Sequence, residues 1–220
     1  MEKIIFAGAH PDDFTGCCGT ALLMRGKFDT YIWDFTRGER GLAEQGVPMD
    51  KCAEMRTKEE EKVAKIAQAK LEFLGETDGE AFAGREVCER IAKRLKEINP
   101  RAVFTHYIPD DHPDHMMTAA AVLKGIQLAH IHPEIYFYEF SHQTLGFIPE
   151  IYVDITSVMD EKIKIIRTYE CQNFDDSMVE NKKEIGSFRG RQTGVKYAEA
   201  FNRCGFIKAG GKCVLDELFL

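Results

Sequence analysis

No apolar run in the 220-residue sequence approaches the ~18 residues that a membrane-spanning helix needs, so no stable membrane insertion is expected. The opening Met1–Ala9 is too short for a secretory signal and contains an acid, which makes the cytoplasm the expected location. Excess cationic charge is also lacking. Lys and Arg number 29 against 36 Asp and Glu, the formal net charge is -7, and no basic stripe extends beyond the Arg189–Arg191 pair. A nucleic-acid partner requires such a stripe, so none is expected. The seven cysteines (17, 18, 52, 88, 171, 204 and 213) form an odd set without C-x-x-C spacing. That argues against a disulfide framework and a cysteine zinc finger, and leaves free thiols. Neither G-x-G-x-x-G after the first apolar segment, where Gly8-Ala9-His10-Pro11 stands, nor G-x-x-x-x-G-K-[ST] occurs. Their absence counts against a nucleotide-binding module. Internal repeats and low-complexity segments are missing as well.

What is present is the composition of a globular chain. Hydrophobic residues make up 44% of it, enough for a sizeable core, and the length suits one domain over residues 1–220. Short apolar runs alternate with longer amphipathic ones. Strands are expected at Lys3–Ala9, Thr30–Phe35, Glu72–Leu74, Ala102–Thr105, Glu134–Phe140 and Ile151–Val153. Helices are expected at Gly16–Lys27, Asp50–Gln68 with Asp50 as its N-cap, Arg85–Ile98, His115–Leu128 and Ile155–Tyr169. Asn173–Gly194 is polar without clear periodicity and reads as a mobile loop. Strand–helix alternation is the pattern of an α/β fold: a Rossmann-like open, mostly parallel sheet with helices on both faces. Ligands in such sheets bind at the carboxyl ends of strands, so the loops at 10–15, 36–41, 75–80 and 106–115 should share one edge. The aromatic stretch Tyr136–Phe140 reads equally as core or as a homo-oligomer interface.

The strongest motif is a tripeptide that occurs twice. His10-Pro11-Asp12-Asp13 follows the first expected strand and His112-Pro113-Asp114-His115 follows a later one. Random order of this composition gives roughly 0.014 copies of His-Pro-Asp per chain, so two at strand ends are not accidental. A residue before proline is pushed to an extended conformation, which projects His10 and His112 from their strands. His10 and Asp13 can chelate one ion from a single turn, and His115 can add a third ligand from the neighbouring loop. Two imidazoles, one carboxylate and an open position form a catalytic rather than a structural zinc arrangement. The bland alternative is that Asp12 and Asp13, and likewise His112-Pro113-Asp114, simply cap the helices that follow. Of the remaining histidines, His106 reads as a satisfied core or edge residue before a supporting one. His130 and His132 read as a helix end, and His142 has no role.

Further segments carry a resemblance. They are Gly16-Cys17-Cys18-Gly19-Thr20, Thr36-Arg37-Gly38-Glu39-Arg40-Gly41, Arg56-Thr57-Lys58-Glu59, Phe73-Leu74-Gly75-Glu76-Thr77-Asp78-Gly79, and Tyr197-Ala198-Glu199-Ala200-Phe201. With the two His-Pro-Asp loops, in this order over nearly the whole chain, they resemble the PIG-L/LmbE family of zinc-dependent N-acetylglucosaminyl deacetylases. The resemblance implies that His10, Asp13 and His115 bind the metal, that Asp12 is the general base, and that a protonated His112, oriented by Asp114, stabilises the oxyanion. It also implies that Arg56 and Asp78 grip sugar hydroxyls, although Arg56 with Glu60 could be a surface helix pair and Asp78-Gly79 an ordinary turn. Zinc is the implied metal, and iron or another divalent ion also suits a His/His/Asp site. The implied substrate is a small N-acetylated sugar, with specificity in the loops at 106–111, 140–150 and 173–194. Two positions depart from the family. Phe14 stands where a carboxylate often follows the paired aspartates, and Cys18 replaces a glycine. Another single-metal hydrolase, acting on a phosphoester or a different amide, and a non-catalytic binding protein on the same fold remain the competing readings.

Overall fold

The computed structural model describes residues 1–141, 144–204 and 213–219; His142 lies outside the described residues. The strands are β1 (Lys3–Gly8), β2 (Asp29–Asp34), β3 (Lys70–Phe73), β4 (Ala102–His106), β5 (Glu134–Tyr138), β6 (Ile151–Asp154) and β7 (Ala198–Cys204). They form one seven-stranded sheet in the order β3-β2-β1-β4-β5-β7-β6. The first five are parallel, while β7 pairs antiparallel with both β5 and β6. The mostly parallel α/β sheet expected from strand–helix alternation is what forms.

The helices are α1 (Cys18–Met24), α2 (Met49–Ala67), α3 (Arg85–Ile98), α4 (Pro113–Ala129), α5 (Met159–Thr168) and α6 (Ser177–Thr193). Side chains alternate across the pleat, so β1 feeds two cores. Ile4 and Phe6 join Leu22 of α1, Val63 of α2 and Ile165 of α5 on one face. Ile5 and Ala7 join Ile91 and Leu95 of α3 with Val122 and Ile126 of α4 on the other. Phe6, Phe104 and Tyr136 stack across β1, β4 and β5 with centroids 4.6 and 4.8 Å apart. Tyr136, Phe137 and Tyr138 are buried, so that part of the aromatic stretch is core. No helix among the described residues is long and apolar enough to cross a membrane.

Three expected elements differ. Asn173–Gly194 is not a loop but contains α6. Its inward positions Val179, Lys182, Gly186 and Arg189 are helically spaced, yet two are charged and one is glycine, so no apolar stripe marks them. The helix expected at Gly16–Lys27 is a 3-10 turn over Asp13–Gly16 followed by the short α1, and Ile155–Tyr169 likewise opens with a 3-10 turn over Thr156–Val158 before α5. Asp50 is not an N-cap. Pro48 precedes α2, no side-chain cap bond forms, and Asp50 serves the first turn as an acid against the dipole.

The inner face of α2 carries charge at its centre, where Arg56, Glu59 and Glu60 are all buried. Glu60 is fully buried and neither carboxyl oxygen makes a hydrogen bond. Burial pushes its pKa from 4.5 up to about 8, against the lowering influence of the nearby Tyr169 hydroxyl. Since this folded pKa exceeds the unfolded one, the folded chain binds more protons between those values and loses stability as pH rises through the window. Glu60→Leu is therefore expected to stabilise the fold at pH 8.5 by about 1–3 kcal/mol, with the gain shrinking towards pH 5. Thermal melts at the two pH values check this, and a variant less stable than wild type at pH 8.5 would contradict it.

Candidate active site

In the order β3-β2-β1-β4-β5 the chain reverses direction of travel between β1 and β4. Connections from these neighbours go to opposite faces, since α1 packs with one core and α4 with the other. The loops therefore part and leave a crevice at the strands' carboxyl ends. Both His-Pro-Asp loops stand there. The crevice is a cleft of about 460 Å³ lined by His10, Asp12, Asp13, His112 and His115, with Arg40, Gly41, Arg56, Asp78, Gly79, Phe140 and Gln172 around them.

After β1 the chain turns tightly, with the Asp13 N–H donating to the His10 carbonyl at 3.2 Å and the Thr15 N–H to that of Asp12 at 2.9 Å. The turn folds Asp13 back over β1 so closely that a Cβ on Gly8 would meet the Asp13 Cβ at 2.7 Å, which only glycine avoids. Asp12 takes φ 102°, a conformation a non-glycine residue adopts at an energetic cost and keeps only where its surroundings impose it. Arg56 supplies that constraint by donating to the Asp12 carboxylate and to the Pro11 and Gly38 carbonyls. Neither Asp12 nor Asp13 makes a side-chain capping bond, so helix capping does not explain them. Oδ2 of Asp13 accepts the N–H groups of Ala9 (2.7 Å) and His10 (2.9 Å) and lies 3.0 Å from Nε2 of His106. Its Oδ1 faces Nε2 of His115 at 3.3 Å.

In the second loop, capping does hold. His112 is the N-cap of α4, Pro113 starts the helix, and the Asp114 N–H donates to Nδ1 of His112 at 3.3 Å. His115 places Nδ1 3.0 Å from Oδ1 of Asp110, which also accepts the His112 N–H at 3.0 Å. His10 places Nε2 3.1 Å from Asp78 and 3.2 Å from Asp114. Each imidazole is thus held at its outer nitrogen by carboxylate, with the other nitrogen turned to Asp13. That is the usual support of a metal-binding histidine, because it fixes the ring and leaves the inner lone pair for the ion. Donor atoms of His10, Asp13 and His115 all lie within 4.8 Å of one another, so these buried residues could hold one metal ion.

The field of the site favours a cation. Burial opposes charge on His10 and His115, yet Asp114, Asp13 and Asp78 lift His10 well above the ordinary imidazole range, and Asp13 with Asp110 lifts His115 to about 9. Asp13 stays well below the carboxylate range despite burial, because His115 and His106 favour its charge. Asp12 behaves differently. Burial raises its pKa to about 6, Arg56 restrains the rise, and Asp13 adds to it. His106 is driven down to about 4 by burial and by His115, so it is a neutral donor to Asp13, its ring stacked 3.9 Å from that of His115.

Several sequence expectations change here. Arg56 donates to the Asp12 carboxylate and to the Pro11 and Gly38 carbonyls while its Nε has no partner, and it is buried, not a surface partner of Glu60. Asp78 likewise has protein partners at both oxygens, His10 and the Arg40 N–H at 2.8 Å. The Asp114 carboxylate meets His10 and the Gly79 N–H (2.7 Å), and only its backbone meets His112. Burial and the charges on His10 and His115 lower the pKa of His112. His106 and Asp110 grip the prospective ligands; for His106 a supporting role was the second of the two readings from sequence, and Asp110 was given none. The strand-end position of His106 and the acidic run at Asp110-Asp111 were the available signals. Phe14 packs edge-on against Phe6 at 5.6 Å and Cys18 is fully buried, so both departures are core residues.

A family model described as GlcNAc-PI de-N-acetylase, PIG-L, matches residues 5–126. The chain belongs to the PIG-L family. The matched stretch of this PIG-L chain runs from β1 into α4 and so contains both His-Pro-Asp loops. A diacetylchitobiose deacetylase of Thermococcus kodakarensis is 27% identical over 90% of this chain and 82% of its own length. The structure of N,N'-diacetylchitobiose deacetylase from Pyrococcus horikoshii matches with a TM-score of 0.82 and 26% identity, covering 92% of this chain and 84% of that one. A 4-carboxy-2-hydroxymuconate hydratase from Pseudomonas putida matches with a TM-score of 0.84 and 20% identity over 97% of this chain and all of its own, a likeness of fold.

Proposed function

We propose that this PIG-L chain is a zinc-dependent N-deacetylase that hydrolyses the acetamide of an N-acetylated amino sugar of the N-acetylglucosaminyl type. One observation carries the reading. Two imidazoles from different loops, each held by carboxylate at its outer nitrogen, turn towards Asp13, while Asp12 stands beside this set without belonging to it. The deacetylase relatives support the same reaction class.

His10, Asp13 and His115 would hold the ion. When bound, zinc supplies Lewis acidity and lowers the pKa of a water from 15.7 to ~7. Asp12, with a pKa of about 6, is matched to take a proton from the attacking water near neutral pH and to return it to the departing amine. Arg56 fixes the carboxylate for both transfers. His112 accepts at Nδ1, so its neutral form carries the proton on Nε2, a donor for the carbonyl oxygen as it gains negative charge. Asp114 and Asp78 orient His10, Asp110 orients His115, and His106 orients Asp13.

This division of labour gives Arg56 a kinetic signature. Arg56→Met should lower kcat by about 10²-fold, the scale of a misplaced catalytic group, with KM near the wild-type value. Steady-state kinetics check it, and a variant with raised KM at unchanged kcat would return Arg56 to sugar binding.

The hydratase neighbour names a polycarboxylate substrate, which would need free cations in the cleft. Arg56 is paired with Asp12 and Arg40 with Glu80, which favours an uncharged sugar. The test is a panel of N-acetylated amino sugars assayed for acetate and free amine in equal amounts. Acetate release supports the reading. Hydration of an unsaturated polycarboxylate with no acetate from any sugar would replace it.

A further inference from the structure

Phe140, just beyond β5, is the one apolar side chain among the described residues that line the cleft; the others are imidazoles, carboxylates, guanidinium groups, an amide and two glycines. Its ring stands edge-on to His115, centroids 5.5 Å apart. It is fixed at three points. Its N–H donates to Oγ1 of Thr144 at 3.0 Å, its carbonyl accepts from Lys182, and the same ammonium lies 3.6 Å from its ring centroid. Lys182 is buried, and burying an ammonium is unfavourable unless its partners compensate. The neighbouring Glu139 is also held from α6, by both arms of Arg189 at 2.6 Å.

An acetamide has one apolar group at its reacting carbon, the methyl. With Asp12, Asp13, His10 and His112 filling the rest of the wall, the apolar surface beside the prospective ligands is the Phe140 ring. We propose that Phe140 receives the acyl methyl and limits the length of acyl chain the site accepts, and that Lys182 is the positioning residue that holds the ring. This specificity rests on the deacetylase reading.

The experiment compares kcat/KM for N-acetyl, N-propionyl and N-butyryl glucosamine in wild type, Phe140→Ala, Phe140→Leu, Lys182→Met and Lys182→Arg. Calorimetric binding of the same three ligands to Asp12→Asn, with and without Phe140→Ala, gives a readout independent of turnover. One methylene in such a pocket is worth roughly 10–200-fold. Wild type should therefore fall by that factor per added methylene, and Phe140→Ala should reduce the acetyl-to-butyryl preference at least tenfold in both kinetics and binding. Lys182→Met should reduce it in part, and Lys182→Arg, which keeps a cation against the ring, should restore it. If alanine at 140 prevents folding, Phe140→Leu must still shift the preference. Equal use of all three acyl lengths by wild type, or an unchanged preference in the folded Phe140 variants, would overturn the proposal. Absence of amine release from every N-acyl sugar is a separate outcome. It would overturn the deacetylase reading itself, and this proposal with it.

Discussion

Replacing Asp12 by asparagine lowers kcat by about 10²–10⁴-fold, the contribution of a general acid–base, while the protein keeps its metal. The amide has the shape of the carboxylate, so the turn at Asp12 and the neighbouring Asp13, His10 and His115 stay in place. What is lost is a group able to take a proton from water and pass it to the amine. The amide also changes the pairing with Arg56, so thermal melts should confirm that the variant is folded at the assay temperature. Metal analysis with single-turnover acetate release separates the two effects. Near-normal acetate release from the variant would remove Asp12 from its role.

The second large effect is on the metal. His10→Ala combined with His115→Ala removes two of three donors and leaves Asp13 alone, so tight binding of one ion per chain should disappear and turnover with it. The sign of the field makes this a demanding test. Asp13, Asp78, Asp110 and Asp114 all remain, and an ion attracted merely by negative charge would still bind. A specific site needs the imidazole lone pairs aimed by their carboxylates. Dialysed protein is assayed for bound metal, with circular dichroism to confirm folding. Retention of one tight ion per chain would rule out the ligand set.

How much of this was legible follows from what each residue's signal depends on. The two His-Pro-Asp loops could be read because proline constrains its neighbour locally, and because parallel strands bring their carboxyl ends to one edge. The parallel core was readable for a related reason: β1 and β4 are buried along almost their whole length and show as apolar runs. α6 was not readable, because its inward residues Lys182 and Arg189 are satisfied by Phe140 and Glu139 just beyond β5, which are distant in sequence. The roles of Arg56, Asp110 and His106 were hidden in the same way. Arg56 meets Asp12 only through the packing of α2 against the first loop, which its own segment of sequence does not signal. The capping alternative failed at Asp12 and held at His112.

The most direct measurement is a zinc titration. Protein stripped by a chelator is reloaded in graded steps, and acetate release from an N-acetylated amino sugar is followed at each step. The account predicts no release from stripped protein and activity that saturates at one ion per chain. Full release from the stripped protein, or activity that appears only with a second ion, would contradict it.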